Sequence, residues 1–291
     1  MSRIRTPSGL RIRPAKIGPR RAADWGLNLI LLAVAFAVFL PIYWLIVTAV
    51  LPQEDGFQLP PKWIPTRITF ENLAAVFDQI PFGMYLLNSV KVTVLVTVGA
   101  LATSVCAAYA FARLQFRGRE LIFLVILASL MIPQQVTIAP TFLLFRSIGL
   151  FDTHEAVYLP FMINVLAIFL LRQWFMRIPS ELLDAARVDG AGHLRTLVSV
   201  ILPLSGPPLS ALAILIAQTS WNSFFWPNIM LSTPEKLTVP VGLVQLYGEF
   251  ESGSPTVIFS AIALLVAPLL VIFLFAQRPI TQSAAMTSGI K

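Results

Sequence analysis

Residues 180–203 read Ser-Glu-Leu-Leu-Asp-Ala-Ala-Arg-Val-Asp-Gly-Ala-Gly-His-Leu-Arg-Thr-Leu-Val-Ser-Val-Ile-Leu-Pro, the one long polar and small-residue stretch between strongly apolar segments. Acidic residues lie at its front, small residues in its middle and a proline at its end. Such an apolar chain offers few places where a water-soluble partner could bind, and this segment is the best of them. Its sequence is typical of a docking element, and its position relative to the membrane decides which partner it meets.

The composition indicates a membrane protein. Of the 291 residues, 57% are hydrophobic and only 12% are charged, whereas a soluble domain usually carries about 25% charged residues. The net charge of +7 does not indicate a nucleic-acid partner, because the basic residues form no surface stripe. Seven of them precede the first apolar run, where topology signals lie: Arg3, Arg5, Arg11, Arg13, Lys16, Arg20 and Arg21.

Six apolar runs predict an all-α integral membrane protein with six transmembrane helices. A helix needs about 20 apolar residues to cross the hydrocarbon core. The runs cover residues 25–51, 89–111, 121–138, 156–174, 207–230 and 257–275. The first follows a basic region, as in a signal peptide, but it is too long and shows no small-residue cleavage site. We therefore interpret it as a retained membrane anchor.

The distribution of Lys and Arg predicts that both termini are cytoplasmic. With the N-terminus inside, sixteen basic residues lie in cytoplasmic segments and four in external ones, with Lys91 just inside the second span. This bias follows the positive-inside rule. The prediction divides the chain into a cytoplasmic basic segment, 1–24, a transmembrane domain, 25–278, and a cytoplasmic tail, 279–291. The loop 178–203 then faces the cytoplasm.

That loop is predicted to form two short helices around a tight turn. Pro179 and Ser180 start the first helix, with Ser180 as its N-cap. The next residues place negative charge near the helix N-terminus and then a surface of low relief. A turn that needs glycine follows at 189–192, and the second helix, 193–200, ends at Leu202-Pro203. An ordinary intracellular loop helix explains the same pattern, and the residues alone leave both interpretations open.

The spacing in this loop resembles the EAA loop of bacterial ABC importer permeases. Here Asp184-Ala185-Ala186, three residues, Gly190, nine residues, Val200, one residue and Leu202-Pro203 match Glu-Ala-Ala, three residues, Gly, nine residues, Ile, one residue and Leu-Pro. Two positions depart conservatively, Asp for Glu at 184 and Val for Ile at 200. Other stretches are similar to the maltose-type carbohydrate branch: Asn88-Ser89, residues 107–113, Met131-Ile132-Pro133, Trp221-Asn222 and Gln277-Arg278.

The resemblance implies the fold and partners of an ABC importer type I permease in a bacterial inner membrane. It implies a second permease subunit, two cytoplasmic ATP-binding subunits and an extracytoplasmic solute-binding protein. The EAA element would be the coupling helix, moved by closure of the ATPase subunits. The residues that it assigns to ATPase coupling are Glu181, Asp184, Ala185, Ala186, Arg187, Asp189, Gly190, Ala191, Leu202 and Pro203.

No catalytic role is expected for the chain itself. The sequence contains no Gly-x-x-x-x-Gly-Lys-[Ser/Thr] phosphate loop, so ATP and Mg are expected in the partner ATPase subunits and no cofactor in this chain. The single cysteine allows no intrachain disulfide, and two histidines cannot form a His-rich metal site. A membrane enzyme would need a nucleophile with a base, paired carboxylates or a metal cluster, and none is assembled.

The fifth apolar run carries the candidate solute pathway. Its polar cluster is formed by Gln218, Thr219, Ser220, Asn222 and Ser223 beside Trp221, and polar residues in spans usually face the bundle interior. Gln218, Ser220, Trp221 and Asn222 are the candidate pathway residues. Amides, hydroxyls and an aromatic ring suit a neutral, polyhydroxylated ligand. Bonding between neighbouring helices is the competing explanation. Asn88, Lys91, Gln134 and Gln135 are weaker candidates, near the outer ends of the second and third runs.

The solute itself stays open at this point. The permeases that this chain resembles take sugars, polyols or solutes such as glycerol-phosphate. A phosphorylated ligand would favour positive charge in the pathway, and the fifth run has none, which favours a neutral carbohydrate. An ion-coupled secondary transporter usually carries membrane-embedded acids, and no Asp or Glu lies in the six runs.

Overall fold

The computed structural model describes residues 21–56, 58, 62–248 and 254–288, and the regular elements in these ranges are all helical. Residues 1–20 of the predicted basic segment, 1–24, and residues 289–291 of the predicted tail, 279–291, lie outside the described residues. The α-helices are α1 Arg21–Val50, α2 Glu71–Gln79, α3 Phe82–Arg113, α4 Arg119–Ala128, α5 Gln134–Ser147, α6 His154–Tyr158, α7 Val165–Arg177, α8 Ser180–Val188, α9 His193–Thr196, α10 Leu202–Leu204, α11 Gly206–Trp221, α12 Phe225–Met230, α13 Val239–Gly248 and α14 Pro255–Ser288.

Three described stretches are long and apolar enough to cross a membrane. They are Trp25–Val50, Phe82–Arg113 and His154–Arg177, and they contain the first, second and fourth predicted runs. Two bent helix pairs raise the number to as many as five: Arg119–Met131 with Gln134–Ser147, bent by 100°, and His193–Leu204 with Gly206–Trp221, bent by 82°. The apolar stretch Pro255–Val271 covers the start of the last run. The count of six spans stays a prediction.

The chain divides into two compact units, 1–45 and 46–291. In the first, the described residues form one helix that is apolar on all sides. Its large side chains from Trp25 to Phe39 are each more than half exposed. A helix without a polar face is suited to lipid on every side.

Helix α3 is the centre of the second unit. It packs against α7, α11 and α13, and its residues Phe82 and Tyr85 are fully buried. Glycine permits the closest of these approaches. A Cβ built on Gly242 of α13 would lie 2.2 Å from a ring carbon of Tyr85, a distance that no side chain tolerates.

A polar network holds the predicted external end of this unit. Asp152 has a φ of 59°, and its carboxylate accepts hydrogen bonds from the Ser232 amide and from the amide and hydroxyl of Thr233. Lys236 Nζ lies 2.9 Å from the same carboxylate. Partial burial acts against ionisation, but the bonds from Thr233, Ser232 and Lys236 prevail and hold the pKa of Asp152 well below its usual range.

The polar residues at the start of α3 join the same region. Asn88 donates to the carbonyl of Glu235 at 2.8 Å. Lys91 Nζ lies 3.2 Å from Nδ1 of His154, whose Nε2 lies 2.8 Å from the carbonyl of Lys236. Asn88 and Lys91, weaker candidates for the solute pathway, therefore fasten the 232–237 loop to α3 and α6.

We expect Asp152→Asn to lower stability by about 1–3 kcal/mol at neutral pH, because the carboxylate accepts several charge-assisted bonds. Asn also tolerates a left-handed backbone, so the substitution isolates the charge. Thermal unfolding in detergent measures the loss, and Asp78→Asn, at an exposed carboxyl on α2, is the control, with an expected change within about 0.5 kcal/mol.

The pH dependence of that loss has a definite sign. The folded-state pKa of Asp152 is depressed, so its contribution is complete above the unfolded value of about 3.9 and disappears as pH falls towards the folded value. The difference between wild type and Asp152→Asn should stay constant from pH 8 to pH 5 and shrink below about pH 4. A difference that vanishes at pH 6 would contradict this assignment.

Candidate functional site

The first candidate site is the coupling segment, residues 178–203. Its first helix, α8, follows Pro179, whose φ of −56° and ψ of 137° stop the helix from extending backwards. Ser180 is already helical, and its side chain makes no capping bond. The predicted N-cap at Ser180 is therefore wrong. Pro179 takes the capping position because its ring fixes φ and it has no N–H to satisfy.

The predicted glycine turn after α8 is confirmed. Gly190 has a φ of +77°, a conformation that costs other L-residues about 1–2 kcal/mol. The Ala191 amide donates to the carbonyl of Ala186 at 2.9 Å, and the Gly190 amide to that of Arg187 at 3.0 Å. These two bonds form a Schellman motif, which satisfies the last carbonyls of the helix and turns the chain sharply into α9.

Helix α8 has one buried contact and an exposed polar face. Leu183 is 5% exposed and packs into the core of the second unit. Glu181, Asp184 and Ala185 are exposed. Arg187 Nη1 lies 3.1 Å from Asp184 Oδ1 in an exposed pair, which adds little to stability. The face with the acids and alanines is thus open to a soluble partner. Leu183 is the buried side chain of this helix that packs against the rest of the second unit.

The second half of the segment differs from the prediction. Helix α9, a π-helical turn Leu197–Ile201 and α10 follow one another without a break, so the helical path continues past Pro203 to Leu204. Pro203 does not stop the helix as predicted. A proline lacks an N–H and clashes with the carbonyl four residues earlier. A π turn, with its wider loop, is one arrangement that accommodates such a residue.

The bend that follows connects the coupling segment to the second candidate site. At Ser205 the chain turns by 82° into α11, and the buried Ser205 hydroxyl donates to the carbonyl of Ile201 at 2.7 Å. Helix α11 then lines a cavity of about 600 Å³ together with residues of α3, α5, α6 and α12 and the segment that precedes α7. A displacement of the coupling segment therefore has a route to the cavity wall through helices joined by hydrogen-bonded bends.

The central cavity is apolar with a few polar groups, as ligand cavities usually are. Its polar lining residues are Gln134, Gln135, Asn164, Thr219, Ser220 and Ser223. Its aromatic lining residues are Phe161, Phe224, Phe225 and Trp226. Among the described residues, no Asp, Glu, Lys or Arg lines it. The cavity thus offers hydroxyl and amide groups beside aromatic rings, and it offers no charge.

Comparison with known proteins identifies the family. Residues 96–284 match the family model described as the binding-protein-dependent transport system inner membrane component. That match covers more than half of the chain. The chain belongs to this family.

Curated relatives match nearly the whole permease. It is 34% identical over 268 residues to the sn-glycerol-3-phosphate transport system permease protein UgpE of Yersinia pestis bv. Antiqua (strain Antiqua), covering 89% of this chain and 95% of the relative. The arabinooligosaccharides permease AraQ of Halalkalibacterium halodurans is 32% identical, with 88% and 92% covered. The trehalose permease SugB of Mycobacterium tuberculosis is 34% identical, with 94% and 98% covered.

A solved structure has the same fold. A chain of a bacterial ABC transporter involved in the import of the acidic polysaccharide alginate superposes with a TM-score of 0.79 at 26% identity. The match covers 89% of this permease and 97% of that chain. The expected all-helical ABC importer permease fold is therefore confirmed.

The structure separates the predicted pathway residues of the permease. Ser220 lines the central cavity together with Ile216 and Thr219, which lie on the same face of α11 at i, i+3 and i+4 spacing, and with Ser223, which follows the end of the helix. Gln218 and Asn222 are exposed on other faces of α11 and its end. Of the predicted polar cluster, Thr219, Ser220 and Ser223 therefore line the cavity.

The structure does not bring the Trp221 side chain to the central cavity. This side chain is 3% exposed, and its indole N–H donates to the carbonyl of Leu265 in α14 at 3.1 Å. Trp226, absent from the prediction, supplies an aromatic ring to the cavity instead. Trp221 lies about 100° around the helix from Ser220, so α14 covers its ring.

Two helix breaks supply the other polar groups of the cavity. Gln134 and Gln135 begin α5 after the break at Pro133. Asn164 precedes α7, and its Oδ1 accepts from the Ala167 amide at 2.9 Å. Discontinuous membrane helices commonly form binding sites in transporters. In the sequence, Met131-Ile132-Pro133 marks the first break. The second break, at Asn164, lies inside the apolar run 156–174, which looks continuous in the sequence.

We expect Trp221→Phe to lower stability by about 0.5–1.5 kcal/mol, since it leaves the Leu265 carbonyl without its donor. The KM for solute uptake should not change, because the ring lies outside the cavity. Thermal unfolding in detergent and uptake into reconstituted vesicles measure the two effects. Trp226→Phe is the matched comparison, as Trp226 both donates to the Ala156 carbonyl and lines the cavity. A changed KM with unchanged stability in Trp221→Phe would contradict this placement.

Proposed function

We propose that this permease forms, with a second permease subunit, the membrane pathway of an ATP-driven importer for an uncharged carbohydrate or related polyol. The observation that carries the proposal is the central cavity, with six polar uncharged residues and four aromatic ones in its lining. Amides and hydroxyls bond the hydroxyls of such a solute, and aromatic rings pack on its C–H faces. Burying an ionised solute without a countercharge would be costly.

The relatives support this solute class and supply one alternative. AraQ and SugB are named for arabinooligosaccharides and trehalose, whereas UgpE is named for sn-glycerol-3-phosphate. An anionic solute of that kind is the second candidate. Lys91, adjacent to the lining residue Val92, is the basic residue nearest in sequence on α3, but its ammonium group lies against His154. A second permease subunit would then have to supply the positive charge.

The coupling segment is proposed as the binding site for two ATP-binding subunits, which hold ATP and Mg. The exposed acids and alanines of α8 support this role, and so does the path of helices and hydrogen-bonded bends that leads to α11. The proposed contact residues are Glu181, Asp184, Ala185, Ala186, Arg187, Asp189, Gly190, Ala191, Leu202 and Pro203. In this scheme the permease transmits mechanical work and performs no hydrolysis itself.

The proposed orientation places the coupling segment in the cytoplasm and the Asp152 network outside the bacterial inner membrane. The excess of Lys and Arg in the predicted cytoplasmic segments supports it, with both termini inside. The outer surface would then receive a solute-binding protein. A structural neighbour that is 18% identical, with a TM-score of 0.62, is a bacterial alginate transporter in complex with a periplasmic protein that carries an alginate pentasaccharide.

The coupling role predicts that Gly190→Val separates ATP hydrolysis from uptake. Valine at a φ of +77° costs at least about 1–2 kcal/mol, enough to lower the population of the native bend about 5–30-fold. Neither Gly190 nor Gly192 has an atom within 4 Å of an added Cβ, and Gly192 has a φ of −71°. Gly192→Val is therefore a control of equal bulk without the backbone penalty.

Both variants should assemble in proteoliposomes with the partner subunits. Gly190→Val should reduce uptake per ATP hydrolysed, and Gly192→Val should stay near wild type. Wild-type uptake in Gly190→Val would disprove the coupling role of this bend.

The solute class predicts a second effect. We expect Ser220→Ala to raise the KM for a neutral carbohydrate or polyol about 2–12-fold, because one net hydrogen bond contributes about 0.5–1.5 kcal/mol. Ser210→Ala, on the same helix but outside the cavity lining, should leave the KM unchanged. The measurement is uptake of a panel of labelled neutral sugars, polyols and glycerol-phosphate. Exclusive uptake of the anionic solute would overturn the proposal in favour of the second candidate.

A further inference from the structure

A second cavity, of about 530 Å³, opens where the end of α3 meets the coupling segment. It is lined by Arg113, Leu114, Gln115, Phe116, Arg187 and His193, which we call the basic pocket. Two guanidinium groups, an imidazole and a carboxamide thus surround one space. No carboxylate of the described residues is among its lining side chains.

The positive charge of Arg113 is fixed in place without a neutralising partner. Its Nη2 donates to the carbonyls of Phe175 and Ile178. Carbonyl oxygens orient a guanidinium group but carry no net charge. In the described part of the chain, Arg113 has no carboxylate within ion-pair distance. The end of α3 therefore places the positively charged guanidinium group of Arg113 at the basic pocket.

The opposite wall of the basic pocket belongs to the coupling segment. Arg187 Nη1 contacts Asp184, but that pair is more than half exposed on both sides, and such pairs are weak. His193 Nδ1 lies 3.4 Å from the Tyr109 hydroxyl. When that hydroxyl donates to Nδ1, the imidazole proton is on Nε2 and is available as a further donor.

Convergent cationic and N–H donors are the chemistry that recognises phosphate oxygens. Arg113 is the last residue of a helix that is long and apolar enough to cross a membrane, and the end of such a helix belongs near the membrane–water boundary. Basic pockets at the cytoplasmic side of transmembrane helices suit lipid head groups. Leu114 and Phe116 add apolar surface beside the charges.

We propose that the basic pocket binds a phosphate group, carried either by an anionic lipid of the cytoplasmic leaflet or by a free phosphate ion. The bound phosphate group would bridge the end of α3 to α8 and α9, and so hold the coupling segment against the rest of the second unit. Only the choice of leaflet depends on the proposed orientation; phosphate recognition follows from the lining residues and stands apart from the transported solute.

The test uses the complete transporter purified in a neutral detergent with its lipid removed. Thermal unfolding is followed after addition of phosphatidylglycerol, of phosphatidylcholine or of inorganic phosphate. Saturating ligand should raise the Tm of the permease by about 2–4 °C or more. A rise with phosphatidylglycerol alone identifies the lipid as the source, and a rise with inorganic phosphate identifies the free ion as sufficient. Phosphatidylcholine should give no rise.

A charge placed in the basic pocket tests the location. Gln115 is exposed, and its side chain makes no hydrogen bond to any other described residue. Gln115→Glu should therefore fold normally, while its carboxylate repels the phosphate and weakens binding at least about tenfold. Gln115→Met, of similar size and uncharged, should keep most of the affinity. Asp78→Glu, which exchanges one acidic side chain for another outside the basic pocket, is the control for any effect of preparing a variant complex.

Two results would overturn the proposal. One is the absence of any Tm rise with either phosphate source, as expected where an acidic side chain of an ATPase subunit fills the basic pocket instead. The other is a rise of equal size in wild type and Gln115→Glu, which would place the bound phosphate elsewhere on the transporter. Neither result would affect the proposed solute class, because that depends on the central cavity.

Discussion

The structure depends on satisfying the backbone wherever an apolar helix is interrupted, because hydrocarbon offers no water to replace a lost hydrogen bond. The break before α7 shows how. The Thr103 hydroxyl of α3 donates to the carbonyl of Met162, and the Ser104 hydroxyl to that of Asn164. Asn164 in turn accepts from Ala167. With these bonds in place the break can stay open, and it contributes an amide side chain to the wall of the central cavity.

The same constraint explains how a displacement of the coupling segment would reach that cavity. The coupling segment packs against the rest of the second unit through buried Leu183 and through the π turn Leu197–Ile201. It then continues through Ser205 into α11. Each junction satisfies its own carbonyls, by the Schellman bonds at Gly190 or by the Ser205 hydroxyl. The path from the exposed acids of α8 to Ser220 is therefore made of helices and well-bonded bends, which transmit displacement better than a loose loop would.

Much of the fold and part of the site could be predicted from local sequence. The apolar, helical character of the runs, the bend at Gly190 and the polar cluster of the fifth run all follow from composition or from one residue's conformational range. The errors were also local in origin. Pro203 was expected to end a helix, yet the helical path accommodates it beside a π turn. Ser180 was expected to cap α8, but the preceding proline already fixed the helix start.

The sequence by itself determined that this protein is an apolar helical permease with a glycine-dependent bend in a polar loop between apolar segments. Hydropathy and a positive φ are properties of short segments, so they can be recognised without neighbours. Only the tertiary structure decided which polar and aromatic side chains meet. Helix α14 covers Trp221 while α3, α5 and α6 leave Ser220 at a cavity, because adjacent helix residues point about 100° apart and only packing determines which direction stays open.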